Sequence, residues 1–483
     1  MTLHLRRPIL VGGIGLSLAL WLLDNLQHSI SEWGEVTLLG LMAAGAGFWW
    51  LQQRSPKAPS FTPTPHLATR ETAQQAIAQA ETALNLLAAE TPNSDANQTL
   101  TTHLSQLIAQ LDRQTLHLSI TGGKAVGKTS ILQALQSQWV PQQPQTLSFQ
   151  ETSPLFTQTE ANANLPSDLA LFVIAGDITD SEFQTLSQLA AERRVVLVWN
   201  KQDQYLPTQQ SQISEQLRLR MQGILATEDV VATAASPTSL KVRQHQPDGT
   251  VQEWMENQTP QIQPLTQRLT QILAQESQPL IWANTARQAV TLKSQAKTLL
   301  NTARRDRALP LIEQYQWIAA AAAFANPVAA LDLLATAAIS TQLVIDLGTI
   351  YQQKFSLDQA KTVAGTLASQ MLKLGLVELS TQTLAGLLKT NTITFVAGGL
   401  VQGVSAAYLT RIAGLSLIES FQTQDLQTPA TDVNTLTLNL AKTLQTVFKQ
   451  NQQVTFLQSF IQQVTNRLSP QSTQLESVKS AVS

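Results

Sequence analysis

Residues 116–135 read Leu-His-Leu-Ser-Ile-Thr-Gly-Gly-Lys-Ala-Val-Gly-Lys-Thr-Ser-Ile-Leu-Gln-Ala-Leu. Leu116, Leu118 and Ile120 alternate as a half-buried strand does, and the run beginning at Ile131 suits a helix. Between them, Gly122-Gly123-Lys124-Ala125-Val126-Gly127-Lys128-Thr129 matches a complete phosphate-binding loop in its strand–loop–helix setting. Glycines let successive N–H groups turn toward an anion, and the helix N-terminus adds partial positive charge. Lys128 is expected at the β- and γ-phosphates, the Thr129 hydroxyl on Mg²⁺, and Ser130 completes the set at the helix start. A second motif, Asn200-Lys201-Gln202-Asp203, follows the apolar run Val195–Trp199. An open α/β sheet binds ligands at that end of its strands. Asp203 can accept two hydrogen bonds from a guanine edge, and the Lys201 stem can lie against the base.

Around these motifs, strands are expected at 116–120, 146–149, 169–175, 195–199 and 230–233, with helical stretches between. That alternation predicts an α/β phosphate-loop domain over 115–278, its mainly parallel sheet covered by helices on both faces. The whole chain has 483 residues, net charge −2, 13% charged residues and 43% hydrophobic ones. The balance gives no basic surface for nucleic acid and leans toward membrane association. There is no cysteine, which excludes disulfides, thiolate metal sites and Cys nucleophiles. The histidines show no metal-ligand spacing.

Two apolar runs, 8–23 and 36–51, are flanked by Arg6-Arg7 and by Arg54 and Lys57, with Trp21, Trp33, Trp49 and Trp50 near their ends. They read as a two-pass transmembrane hairpin over 1–57 with both outer flanks cytoplasmic. A linker carrying Pro56, Pro59, Pro63 and Pro65 leads to Ala-, Gln- and Leu-rich sequence, so 58–114 is expected to form a tether and a two-helix stalk. Beyond 278 long uncharged stretches appear at 317–345, 363–377 and 393–417, the last containing Gly399 and Gly403 at close-packing spacing. This predicts an all-α, membrane-associated domain over 279–421 and a helical tail over 422–483 with a disordered end. Asp332, Asp346, Lys373 and Arg411 favour a soluble bundle instead. Lipid and self-association through these helices are the partners that the reading allows.

The nucleotide domain resembles the translation-factor-related GTPases, nearest their Era-like branch, on Gly122–Thr129, Asn200–Asp203 and Thr233-Ala234. From Trp282-Ala283-Asn284-Thr285-Ala286-Arg287 to about Phe421 the chain resembles the family called domain of unknown function 697, as in fusions found in cyanobacterial chains. The resemblance implies binding of GTP or GDP with Mg²⁺, with the loop Thr233-Ala234-Ala235 against the guanine oxygen.

Three departures weaken the catalytic half of that likeness. The family's Asp-x-x-Gly element corresponds to Glu151-Thr152-Ser153-Pro154, and Pro154 has no N–H to offer a γ-phosphate. Only about twenty residues separate Thr129 from Glu151, too few for a normal first switch. Ala125 stands where potassium-activated relatives carry Asn. Asp177 is an alternative acidic partner for the metal, and no catalytic residue can be named. Two functions stay open: a membrane-anchored slow GTPase coupling nucleotide state to the C-terminal helices, and a GTP-binding scaffold that does not hydrolyse.

Overall fold

The computed structural model describes residues 67–92, 94–156, 167–245, 251–325, 329–390, 399–423 and 433–468. The expected hairpin at 1–57, most of the Pro-rich tether and the chain end beyond 468 lie outside the described residues. So do 326–328 and 391–398, within two of the apolar stretches.

Two helices open the described chain, α1 (Arg70–Glu90) and α2 (Asp95–Gln110). The α/β unit follows: β1 (Leu116–Gly122), α3 (Lys128–Gln138), β2 (Leu147–Glu151), β3 (Leu169–Ile174), α4 (Asp180–Glu192), β4 (Arg194–Trp199), α5 (Pro207–Arg220) and β5 (Val230–Ala232). The sheet order is β2-β1-β3-β4-β5, with every pair parallel. All five expected strands form, with ends shifted by one or two residues.

Period-two burial assigns the two faces. Leu169, Leu171 and Val173 of β3 with Val196 and Val198 of β4 point to one core, joined there by Ile131 and Leu135 of α3. Ala170, Phe172, Ile174, Leu197 and Trp199 point to the other, under Leu186 and Leu189 of α4 and Leu217 of α5. β3 is buried along its whole length and β4 from Val195 to Trp199, as helices on both faces require. Each such side chain contributes about 1.5–3 kcal/mol of transfer free energy.

An antiparallel hairpin, β6 (Leu240–His245) and β7 (Val251–Glu256), follows β5 and projects from the domain. It was not among the expected strands. Its sequence signal is Asp248-Gly249 between two alternating runs.

One helix then runs for 63 residues, α6 (Gln263–Ala325), about 95 Å at 1.5 Å per residue. The change in composition at 278/279 is not a break in the helix. Leu265, Leu269, Ile272, Leu273, Leu280 and Ile281 close one face of the sheet. Ala289, Leu292, Ala296 and Leu300 meet Ala73, Ile77, Ala80, Leu84 and Leu87 of α1 and Leu100, Leu104 and Leu107 of α2. The two helices expected as a stalk, α1 and α2, pack their apolar stripe onto α6. Arg304 of α6 donates to Glu90 Oε1 at 3.0 and 2.7 Å, and Arg307 pairs with the same carboxylate.

The last part of α6 enters a helical bundle with α7 (Ala329–Ile350), α8 (Leu357–Lys373), α9 (Leu376–Thr390), α10 (Gly399–Thr423), α11 (Val433–Gln450) and α12 (Val454–Leu468). Ile312 and Tyr315 share its core with Leu343, Leu347, Val363, Leu367, Tyr408, Ile412, Leu440 and Phe460. The segment beyond 421, read as a tail, is thus part of the core through α11 and α12, whose Leu440, Leu444, Phe460 and Val464 are buried. Gly414 lies against Ile312, where a Cβ would come within 2.7 Å. Among the described residues, Val401–Thr423 is the helix long and apolar enough to cross a membrane, and 56% of its apolar window is buried in the bundle. A soluble core helix has the same length and composition.

Candidate nucleotide site

The site lies at the carboxyl ends of β1, β4 and β5. Gly122 ends β1 so close to β3 that a Cβ would sit 2.2 Å from the Val173 carbonyl oxygen. Gly127, at φ +93°, precedes α3 and faces Asn200, whose Nδ2 would lie 2.3 Å from a Cβ there. Ala125 also takes a left-handed conformation, φ +59°, in the middle of the loop. These turns leave Gly122, Gly123, Lys124, Ala125, Val126 and Gly127 in a tight curl capped by the N-terminus of α3.

Lys128 is buried, and its ammonium donates to the carbonyls of Gly122 (3.0 Å) and Gly123 (2.8 Å). Burial lowers the Lys128 pKa, and the Glu151 carboxylate partly offsets this. Thr129 donates its hydroxyl to Glu151 Oε1 at 2.9 Å, and Ser130 follows in the first turn of α3. Glu151 reaches Thr129 because β2 pairs directly with β1, Ile120 opposite Glu151. Backbone bonds Thr152 N–H to Ile120 O (2.9 Å) and Leu155 N–H to Gly122 O (3.1 Å) hold the 152–155 turn alongside the loop. Asp177, the alternative acidic partner, caps Ile178 N–H and faces Arg220 at 3.9 Å instead of Thr129. Among the described residues no cluster of three or more His, Asp or Glu forms a metal site.

Asn200 is the hub. Its Nδ2 donates to Val126 O at 3.0 Å, while Oδ1 accepts from Thr233 Oγ1 (3.2 Å) and Ala235 N–H (3.0 Å). Lys201, left-handed at φ +62°, swings its ammonium to Ala125 O at 2.8 Å. Asp203 sits on the next turn and accepts from Thr238 N–H (3.1 Å) and Thr238 Oγ1 (3.3 Å). The three expected regions, Gly122–Ser130, Asn200–Asp203 and Thr233–Ala235, are therefore assembled in one place.

The role expected for the Thr233–Ala235 backbone meets competition. Ala234 N–H donates to Gln261 O at 3.0 Å in an isolated bridge, and Ala235 N–H is held by Asn200. Sequence reasoning missed Gln261 and Thr238, because neither belongs to a motif and only the fold brings them near.

Gly127→Ala is expected to cost about 1–3 kcal/mol, since the methyl meets Asn200 and the left-handed φ is strained. The shift of the urea midpoint at unchanged slope measures it.

The family described as domain of unknown function DUF697 matches residues 287–453, about a third of the chain. The match begins inside α6 and ends just before α12, so the matched region shares one helix with the α/β domain. No curated protein matches the chain. Among solved structures, LeoA, a bacterial dynamin GTPase from ETEC, is similar at 13% identity and a TM-score of 0.28, over 83% of this chain and 98% of that one.

Proposed function

We propose that the chain is a membrane-anchored guanine-nucleotide-binding protein of the Era-like type, a slow GTPase whose nucleotide state acts on the C-terminal helices. The observation that carries this reading is the double engagement of Asn200, which ties the phosphate loop to the Thr233–Ala235 loop beside Asp203. A site for phosphate alone has no use for that second half. Asp203 accepts hydrogen bonds only, which suits the two N–H groups of a guanine edge and not the adenine edge.

The glycine curl and Lys128 fit a di- or triphosphate. Lys128 now donates to two loop carbonyls and would exchange them for phosphate oxygens. Thr129 and Glu151 fit Mg²⁺, Thr129 by its hydroxyl and Glu151 through water. The bound ion would neutralise charge on the phosphates. Lys201 packs its stem along the loop at the base side. Pro154 has no N–H, so the 152–155 turn offers one donor fewer than the Asp-x-x-Gly element does.

Membrane placement rests on the basic flanks Arg6-Arg7, Arg54 and Lys57, which put the nucleotide domain on the cytoplasmic side of a bacterial inner or thylakoid membrane. Val401–Thr423 adds a further apolar helix to that reading. Lipid and a further copy of the chain through the C-terminal helices are the partners it implies.

The test is single-turnover GTP hydrolysis by the full chain. Unassisted GTPases run at roughly 10⁻⁴ to 10⁻² per second, and the expected rate lies at or below the bottom of that range. Turnover above about one per second would overturn the slow-GTPase reading. GTP binding with no turnover over days would favour the scaffold, a reading that Pro154 supports.

A further inference from the structure

We infer that Thr238 is a specificity-determining residue, positioning the Asp203 carboxylate for the edge of a purine base. The inference deepens the nucleotide reading above and rests on it. Asp203 lies in the short turn after Lys201, half exposed, where an Asp side chain is free to rotate unless held. Two donors from one residue converge on a single oxygen of it. Thr238 N–H and Thr238 Oγ1 reach Asp203 Oδ2 at 3.1 and 3.3 Å. A carboxylate has about four acceptor positions, so Thr238 fixes its plane and leaves capacity for two further N–H donors. Recognition depends on such fixing, because a loosely held group loses the geometry that discriminates between ligands.

Thr238 is itself held from both sides. Before it, Ala235 N–H is bound by Asn200 at 3.0 Å and Ala234 is bridged to Gln261. After it, the hairpin β6–β7 begins at Leu240, and its base is closed by Ser239 Oγ to Asn257 Oδ1 at 2.7 Å. The four residues 236–239 therefore span two fixed points, and the hydroxyl of the third meets Asp203. In the nearer loop Ala234 and Ala235 carry no hydroxyl, and that of Thr233 is given to Asn200 at 3.2 Å. The projecting hairpin thus acquires a role as the buttress that sets Thr238.

The experiment is calorimetric titration of the full chain, in detergent, with GDP and with ADP, each with Mg²⁺, for wild type, Thr238→Val and Thr238→Ser. Wild type is expected to prefer GDP. Thr238→Val should lower GDP affinity roughly 10- to 100-fold, the effect of loosening a charged acceptor, while ADP affinity and the thermal midpoint stay put. Thr238→Ser should restore the preference, and in an Asp203→Ala background Thr238→Val should change nothing further. A Thr238→Val protein with the wild-type GDP-to-ADP ratio would overturn the positioning role and leave the guanine reading standing. Equal losses for both nucleotides, with a lowered thermal midpoint, would overturn it in favour of a structural role. Equal binding of GDP and ADP by wild type would overturn the guanine reading and this inference together.

Discussion

Replacing Lys128 with alanine abolishes GTP binding and strongly weakens GDP binding. The ammonium is buried behind the loop, bonded to two carbonyls, with its pKa lowered by desolvation. A phosphate would supply an anionic partner that offsets the hydration lost on burial, so the side chain is poised for an anion. Nothing else described in the curl carries a buried positive charge; Lys124 is exposed. The measurement is the shift in thermal midpoint on adding GTP and Mg²⁺. A ligand at a hundred times its Kd stabilises the folded state by about 2.7 kcal/mol, and the variant should lose all of it. The nucleotide-free variant also loses two buried hydrogen bonds, so the shift is read against its own melt without nucleotide. Persistence of the full shift would mean that the nucleotide sits elsewhere.

The largest expected effect on stability is at Asp229→Ala, about 3–5 kcal/mol. Asp229 is wholly buried at the start of β5, where Arg194 forks onto both its oxygens and Arg268 of α6 donates to Oδ1 at 2.9 Å. Arg194 also donates to Glu276 of α6 at 2.9 Å. Truncating Asp229 leaves two guanidinium groups, 14% and 17% exposed, with a single carboxylate between them. The pair also joins β4 and β5 to α6, so the loss should reach the helix as well as the sheet. Denaturant unfolding followed by far-UV circular dichroism measures it, and a change below about 1 kcal/mol would show that the network tolerates the loss.

What could be read from the sequence was whatever repeats with a physical period. The runs at 169–174 and 195–199 are unbroken and apolar, so their burial on both faces was legible, and with it the order of motifs along the sheet edge. The glycine curl and Asn200 were legible because their chemistry is local to a few consecutive residues. Glu151 was found by counting to the end of a strand, and its bond to Thr129 follows from the pairing of β1 with β2. Thr238 and Gln261 were not legible, since each acts across a gap that only the hairpin and the sheet close. The unity of α6 was hidden for another reason. Pro279 and Pro310 lie inside it, and proline ordinarily ends a helix interior at about 3 kcal/mol. Packing on both sides of each proline outweighs that cost. Composition changes part-way along the helix, which in a sequence looks like a boundary.

The unbroken α6 also makes the chain a problem in phase. Every residue of a helix turns its successor by about 100° and advances it 1.5 Å. Arg268 and Glu276 face the α/β sheet, Asn284 donates to Asp168 at 2.8 Å, Arg287 reaches the Ser167 carbonyl at 3.0 Å, and Arg304 faces Glu90. Each bearing is fixed relative to all the others by residue count alone. One residue gained between 288 and 303 would swing Arg304 and the bundle beyond it about a quarter-turn around the axis, whereas a gain of seven or eleven would nearly restore the bearing. The span from Arg268 to Arg304 can therefore change in length only in steps close to whole turns.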